Sequence, residues 1–292
     1  MQVLVLDAAE WISRFTVSQL QLAGVDVLVS GMTQAAAERL FPARSGATSV
    51  QALDEELFEN PGSLRRAFEP LDAVLAAPGG AHAADPARQY RLIRTAFEVG
   101  LAHFVRISKC DDERHAAAQA GGVDVNADLK ASGLPFTILE PTLMDSVMVE
   151  HASEIRDLGI WLGSAPRGRN AFIDPRDVVA ATAAVLLQAR PMGELYLPGP
   201  ETLSYAEVAA VLSQLLQRDI FYRVVPPDEQ VQAMTAQGLS PSQTRRRLAR
   251  DAATEHQGEP ALNDAVLRLT GRPPGTLGNY LEDHRCIFAC AD

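Results

Sequence analysis

The chain has 292 residues, with 26 Lys+Arg against 37 Asp+Glu and a formal net charge of −11. With 47% hydrophobic and 22% charged residues it is composed for one large or two modest soluble domains, which excludes both a stapled mini-domain and disorder as the main state. An acidic chain without a basic run lacks the electrostatic footprint for nucleic acid or an anionic membrane surface, so small molecules, a protein partner or a second copy are the expected partners.

The first element is the short apolar run Gln2 to Leu6, of strand length. An amphipathic helix from Trp11 to Leu22 follows and stops at Ala23-Gly24, and Val25 to Val29 reads as a second strand. A helix over Gln34 to Leu40, a weak strand near Ala47 to Val50 and helical stretches to Phe68 lead to a buried-strand pattern at Asp72 to Ala77. The helix Pro86 to Val99 stops at Gly100 and is followed by the strand His103 to Ile107. A helix from Val123 to Ala131 stops at Gly133 before the strand Pro135 to Leu139. Short apolar strands alternating with helices of this length predict βαβ units in a doubly wound, Rossmann-type parallel sheet, with a ligand crevice at the carboxyl ends of its strands.

After Pro141 the rhythm changes. Asp174 to Leu187 reads as a helix, Glu194 to Leu197 as a late strand, and Ser204-x-x-Glu207 as a capping box for a helix to Gln217. The expected organisation is a Rossmann-type domain over 1–145 and a smaller, mostly helical ligand-binding subdomain over 146–292, with 171–200 returning to the sheet. The longest apolar stretch, Val178 to Leu187, is too short to span a bilayer, and a cytoplasmic protein is expected. Cys110, Cys286 and Cys290 form no even disulfide framework, and with His284 they match no usual metal-ligand pattern, so no metal is expected.

Four strings carry a family resemblance: AFEVGLAHFVRI (Ala96 to Ile107), ASGLPFTILEP (Ala131 to Pro141), LPGPETLSYAEVA (Leu197 to Ala209) and LTGRPP (Leu269 to Pro274). Their order resembles the NmrA-like branch of the atypical short-chain dehydrogenases/reductases. The resemblance implies a dinucleotide-binding Rossmann domain preferring NADPH and a C-terminal substrate subdomain. Members of that family act as reductases of quinones and other small electrophiles or as dinucleotide sensors.

The family carries T-G-A-T-G-x-x-G after its first strand; here the stretch is Leu6-Asp7-Ala8-Ala9-Glu10-Trp11-Ile12-Ser13, with Asp7, Glu10 and Ser13 in place of the three glycines. Two unit charges at about 4 Å repel by roughly 4 kcal/mol at an effective dielectric near 20, so either carboxylate turned inward opposes a pyrophosphate. A carboxylate is expected to occupy the positive end of the following helix, filling the anion site from within. After the second strand, Ser30-Gly31-Met32 has neither an Arg for a 2′-phosphate nor an acid for a ribose hydroxyl; Arg39 and Arg44 are the candidate substitutes for that Arg, with a solvated surface position the default for both. None of Tyr90, Tyr196, Tyr205, Tyr222 and Tyr280 has a Lys four residues on, so Tyr-x-x-x-Lys proton transfer is absent. His115 is the candidate for the basic residue that NmrA-like reductases place ahead of the Ser-Gly-Leu string, although a surface position suits it better.

Pro78-Gly79-Gly80 offers either an anion-accepting backbone concavity or, preferably, a tight turn. Ser108, Lys109, Glu140, Thr142, Met144 and Trp161 are the expected ligand contacts, and Glu140, His151 and Ser108 the catalytic candidates. Glu140 pairs either with His151 as an acid/base couple or structurally with Arg106, Arg167 or Arg169. The first expectation is a redox-inactive protein with no cofactor, binding a small molecule or a protein partner as a sensor or regulator. The alternatives are a cofactor-independent isomerase, dehydratase or cyclase, and an NAD(P)H-dependent reductase whose degenerate loop (Asp7, Ala8, Glu10, Trp11, Ser13) still takes NADPH.

Overall fold

The structure, a computed structural model, describes residues 1–42, 48–108 and 124–289. Val3, Leu4 and Val5 have no exposure at all, so β1 (Gln2–Val5) is covered on both faces, as an unbroken apolar run demands of a parallel sheet. From it the chain enters α1 (Trp11–Leu22), β2 (Asp26–Val29), α2 (Gln34–Leu40), β3 (Val50–Ala52), a 3-10 turn at Glu55–Phe58, α3 (Pro61–Phe68) and β4 (Ala73–Ala76). The short α4 (Gly80–Ala84) precedes α5 (Pro86–Val99). Asp85 caps α5 through the Ala87 N–H, and Gly100 ends it in the left-handed conformation at φ 72. β5 (His103–Ile107), α6 (Val125–Ala131) and β6 (Phe136–Pro141) complete this series.

Six strands stand in the order β3-β2-β1-β4-β5-β6 with parallel registers throughout. Beneath them Leu4, Leu28, Phe68, Val74, Leu92, Phe104 and Ile138 form one continuous buried cluster. That burial is the main stabilising term for the sheet.

The chain then passes through a 3-10 stretch (Asp145–His151), α7 (Ala152–Leu158), β7 (Ile160–Gly163), β8 (Arg169–Asn170) and α8 (Pro175–Gln188), and β9 (Gly193–Leu197) lies beside β6 as the seventh strand. After β10 (Leu203–Ser204) come α9 (Tyr205–Leu216), β11 (Phe221–Val224), α10 (Pro227–Ala236), α11 (Pro241–His256), α12 (Ala265–Thr270), α13 (Leu277–Asp283) and α14 (Arg285–Phe288). The Ser204/Glu207 capping box forms with both hydrogen bonds in place. The described residues fall into two compact units, one of 1–42, 48–108, 124–140 and 178–196, the other of 141–177 and 197–289.

In the second unit β7 and β11 pair in parallel, and Trp161, Phe172, Tyr205, Leu212, Leu281 and Phe288 close around a separate apolar core. Gly199 passes so near Phe172 that a Cβ there would lie 1.6 Å from its carbonyl oxygen, an approach only glycine permits. Among the described residues no helix is long and apolar enough to cross a membrane.

Candidate functional site

The strand order reverses between β1 and β4, and in a doubly wound sheet ligands bind outside the carboxyl ends of the strands at that point. The Asp7 to Glu10 turn stands there. Asp7 holds φ 49, a left-handed conformation that suits glycine and that Asp tolerates better than most residues. Its N–H donates to Ser30 Oγ at 3.1 Å, and its carboxylate accepts the His82 N–H at 3.0 Å. A Cβ on Gly80 would sit 2.3 Å from Asp7 Cγ, so the Pro78-Gly79-Gly80 bend is a turn whose concavity is filled by Asp7.

Glu10 is exposed, and its carboxylate lies over Gly79, where a Cβ would come within 2.8 Å of Oε2. Glu10 is also the N-cap residue of α1, yet it makes no side-chain cap there. The expectation that a carboxylate fills the positive end of the first helix is therefore corrected: the hydrogen bond that Asp7 accepts from His82 lies at α4, and Glu10 leans away over the β4 turn. The first-turn N–H groups of α1 keep the geometry that receives an anion. Ser13 is fully buried, and its hydroxyl donates to the Leu6 carbonyl at 3.0 Å, joining helix to strand. Ala8 is buried as well, whereas Trp11 is 44% exposed and stacks on Phe15 at 4.7 Å.

An acid does stand at the end of β2, although the residues that directly follow the strand supply none. Glu55, 24 positions beyond Gly31, accepts the Gly31 N–H at 2.6 Å. Its other oxygen lies 3.2 Å from His82 Nε2 and 3.8 Å from Arg88. Sequence reasoning missed it because the 3-10 turn after β3 delivers it. Behind this line a small cavity, barely large enough for a water, is lined by Asp7, His82, Gln89, Arg106 and apolar neighbours such as Phe104. Arg106 is spent on Gln89 and Asn126.

The other candidates separate. Ser108 ends β5, buried, its N–H on the Leu139 carbonyl. Glu140 lies on β6, and its charge adds to the field of Glu194 and Asp124 on Lys130. Arg167 and Arg169, expected as its partners, pair instead with Glu255 and with Glu207 and Glu259. Lys109 and His115, with Cys110 and Cys290, lie outside the described residues. Thr142 gives its hydroxyl to the Ala171 carbonyl, and Met144 bridges to Ile173 in parallel register, so both hold backbone.

Two expectations are overturned in the second unit. Trp161 is 2% exposed, packed on His151 at 4.8 Å, Tyr205 at 4.5 Å and Tyr222 at 5.0 Å, so it is core rather than ligand contact. His151 is buried with Nδ1 3.8 Å from Glu154, whose other oxygen takes Arg247 at 2.7 Å. Burial, reinforced by Arg247, pushes the imidazole's pKa down against the pull of Glu154, and its enclosure against Trp161 makes it a structural residue of this cluster.

Nothing in the sequence singled out Asp145. It is fully buried, neither carboxyl oxygen has a hydrogen-bond partner among the described residues, and burial with the nearby charges of Asp174 and Asp177 pushes it up to about 8. Its neighbours are satisfied: Asp174 by Arg176, Asp177 by Arg272 at 2.7 Å. No group of three His, Cys, Asp or Glu among the described residues is arranged to hold a metal.

No family model matches the chain. It is 27% identical to the NAD(P)H azoreductase of Xenophilus azovorans over 203 residues, covering 68% of this chain and 71% of that protein. It is 26% identical to the agroclavine dehydrogenase of Claviceps fusiformis over 246 residues, 82% of this chain and 84% of the other. Among solved structures, the NADPH-dependent quinone oxidoreductase of Escherichia coli complexed with NADPH superposes with a TM-score of 0.82 at 17% identity, over 97% of this chain and 99% of that one. These relatives are reductases and a dehydrogenase, two of them nicotinamide-dependent, and this chain has the Rossmann-type α/β fold of the quinone oxidoreductase.

Proposed function

We propose that the protein is a nicotinamide-dependent reductase of a small electrophile, bound at the carboxyl ends of β1, β4 and β5. The observation that carries this reading is the β1–α1 turn: its backbone keeps the glycine conformation at Asp7, Ser13 seals helix to strand, and Glu10 leaves the first turn of α1 without a side-chain cap. Kinship with the azoreductase and the dehydrogenase over two thirds or more of the chain supports it. The residues fit a dinucleotide in this way: the N–H groups of Trp11, Ile12 and Ser13 hold the pyrophosphate. The dinucleotide supplies the hydride. Glu10 opposes that anion across solvent, which weakens binding without abolishing it.

A second reading, a redox-silent small-molecule binder with no cofactor, is favoured by one observation: the Asp7 and Glu10 side chains already occupy the space over Gly80 and Gly79. Energy transfer from Trp11 to reduced nicotinamide, measured beside dinucleotide oxidation with a quinone or azo acceptor, separates the two. Binding with acceptor-dependent oxidation supports the reductase. Absence of energy transfer at millimolar dinucleotide overturns it in favour of the silent binder.

A further inference from the structure

We infer that Glu55 selects the non-phosphorylated dinucleotide, so that this chain prefers NADH to NADPH. The inference rests on the nicotinamide-dependent reading and extends it to the adenosine end of the ligand.

In a sheet of this topology the residues leaving β2 face the adenosine ribose of a dinucleotide, where an acid takes the 2′-hydroxyl and an arginine takes a 2′-phosphate. Gly31, Met32 and Thr33 follow β2 here. Gly31 runs close under the first turn, where a Cβ would lie 3.1 Å from Asp7 Cα, and its φ of 80 admits little but glycine. Its N–H is anchored on Glu55 Oε1, which fixes a carboxylate at the strand exit. The side chain remains 42% exposed, so it keeps lone pairs for a hydroxyl group.

The cations around it do not reverse its charge. Arg88 approaches at 3.8 Å but is held by Glu59, which also draws in Arg91. Arg39 is exposed on the last turn of α2, and Arg44 lies outside the described residues. Among the described residues, a 2′-phosphate brought to this exit therefore meets a fixed carboxylate and no dedicated guanidinium. A ribose hydroxyl meets a hydrogen-bond acceptor. Like-charge repulsion at a half-exposed site, screened by solvent and salt, translates into a preference of about tenfold or more.

The test uses the full chain and measures NADH and NADPH binding by Trp11 energy transfer and by thermal shift, for wild type and for Glu55→Gln. The variant keeps an oxygen for the Gly31 N–H while removing the charge, and its melting temperature without ligand checks that it folds. Met32→Arg provides a second route, adding a cation to the strand exit and leaving Glu55 in place. Expected are tighter NADH binding by wild type, a preference that shrinks about tenfold in Glu55→Gln and also as salt is raised, and a gain for NADPH in Met32→Arg. Equal or tighter binding of NADPH by wild type overturns the inference and leaves the reductase reading standing. An unchanged preference in a folded Glu55→Gln does the same. Failure of both dinucleotides to bind at millimolar concentration overturns the inference and the reading together.

Discussion

The two compact units bury carboxylates under different terms. Asp7, 4% exposed at the end of β1, is given a backbone donor, the His82 N–H. In the second unit, Glu154 meets Arg247 and His151, while Asp145 meets no hydrogen-bond donor among the described residues. Burial alone pushes Glu154 up, but His151 and Arg247 outweigh it and hold its carboxyl below the ordinary range. For Asp145 burial prevails, Asp174 and Asp177 add to it, and the group is neutral at pH 7. Partners thus decide charge: Glu154, beside a guanidinium and an imidazole, is held ionised, and Asp145, without a donor among the described residues, keeps its proton.

The largest expected effect breaks the Glu154 side of this contrast. Arg247→Met leaves a buried carboxylate without its guanidinium and should cost about 3–5 kcal/mol, read from denaturant midpoints. A loss below about 1 kcal/mol would mean that His151 alone sustains the charge.

Asp145→Asn sharpens the other side through its pH dependence. A carboxyl whose folded pKa lies near 8, against 3.8 for the free group, binds a proton on folding between those values. Its stabilising contribution is complete below pH 4 and fades as the pH climbs through 8. The asparagine cannot ionise, so its advantage over wild type should grow across that window to a few kcal/mol and then level off. A midpoint difference independent of pH would show that Asp145 is already ionised in the native state.

At the strand ends the effects are smaller and fall on binding. Asp7→Asn keeps an acceptor for the His82 N–H and tolerates the left-handed backbone, so stability should change by less than about 1 kcal/mol. Its dinucleotide affinity, followed by Trp11 energy transfer, should rise roughly tenfold. Glu10→Gln removes an exposed charge and should raise affinity only about two- to threefold, with the gain vanishing at high salt. Should Glu10 prove the stronger of the two, solvent exposure would be the wrong guide to which acid matters.

Much of the sheet was legible because each strand is a short apolar run and helices stop at glycines such as Gly24 and Gly100, features set by neighbours in sequence. The β7/β11 pair was not: Ile160–Gly163 and Phe221–Val224 lie about 60 residues apart, and neither looks like a buried strand by itself. The same holds for the site. Asp7, Glu10 and Ser13 could be placed on one turn from spacing, but the partners that give them meaning, His82, Gly79 and the Leu6 carbonyl, are brought in by tertiary packing. Glu55 and Asp145 escaped notice for the same reason. Trp161 was misplaced because a lone tryptophan looks alike at a crevice and in a core until its ring neighbours are known.

The Ser13 hydroxyl on the Leu6 carbonyl makes this position hard to change. A glycine at position 13 would leave that buried oxygen without its donor, at a cost of about 1–3 kcal/mol. Serine is therefore locked in by its own hydrogen bond: its replacement by glycine is uphill unless a water or a second substitution answers the carbonyl first. A variant selected for a tighter hold on a dinucleotide should therefore change Asp7 or Glu10 and leave Ser13 in place.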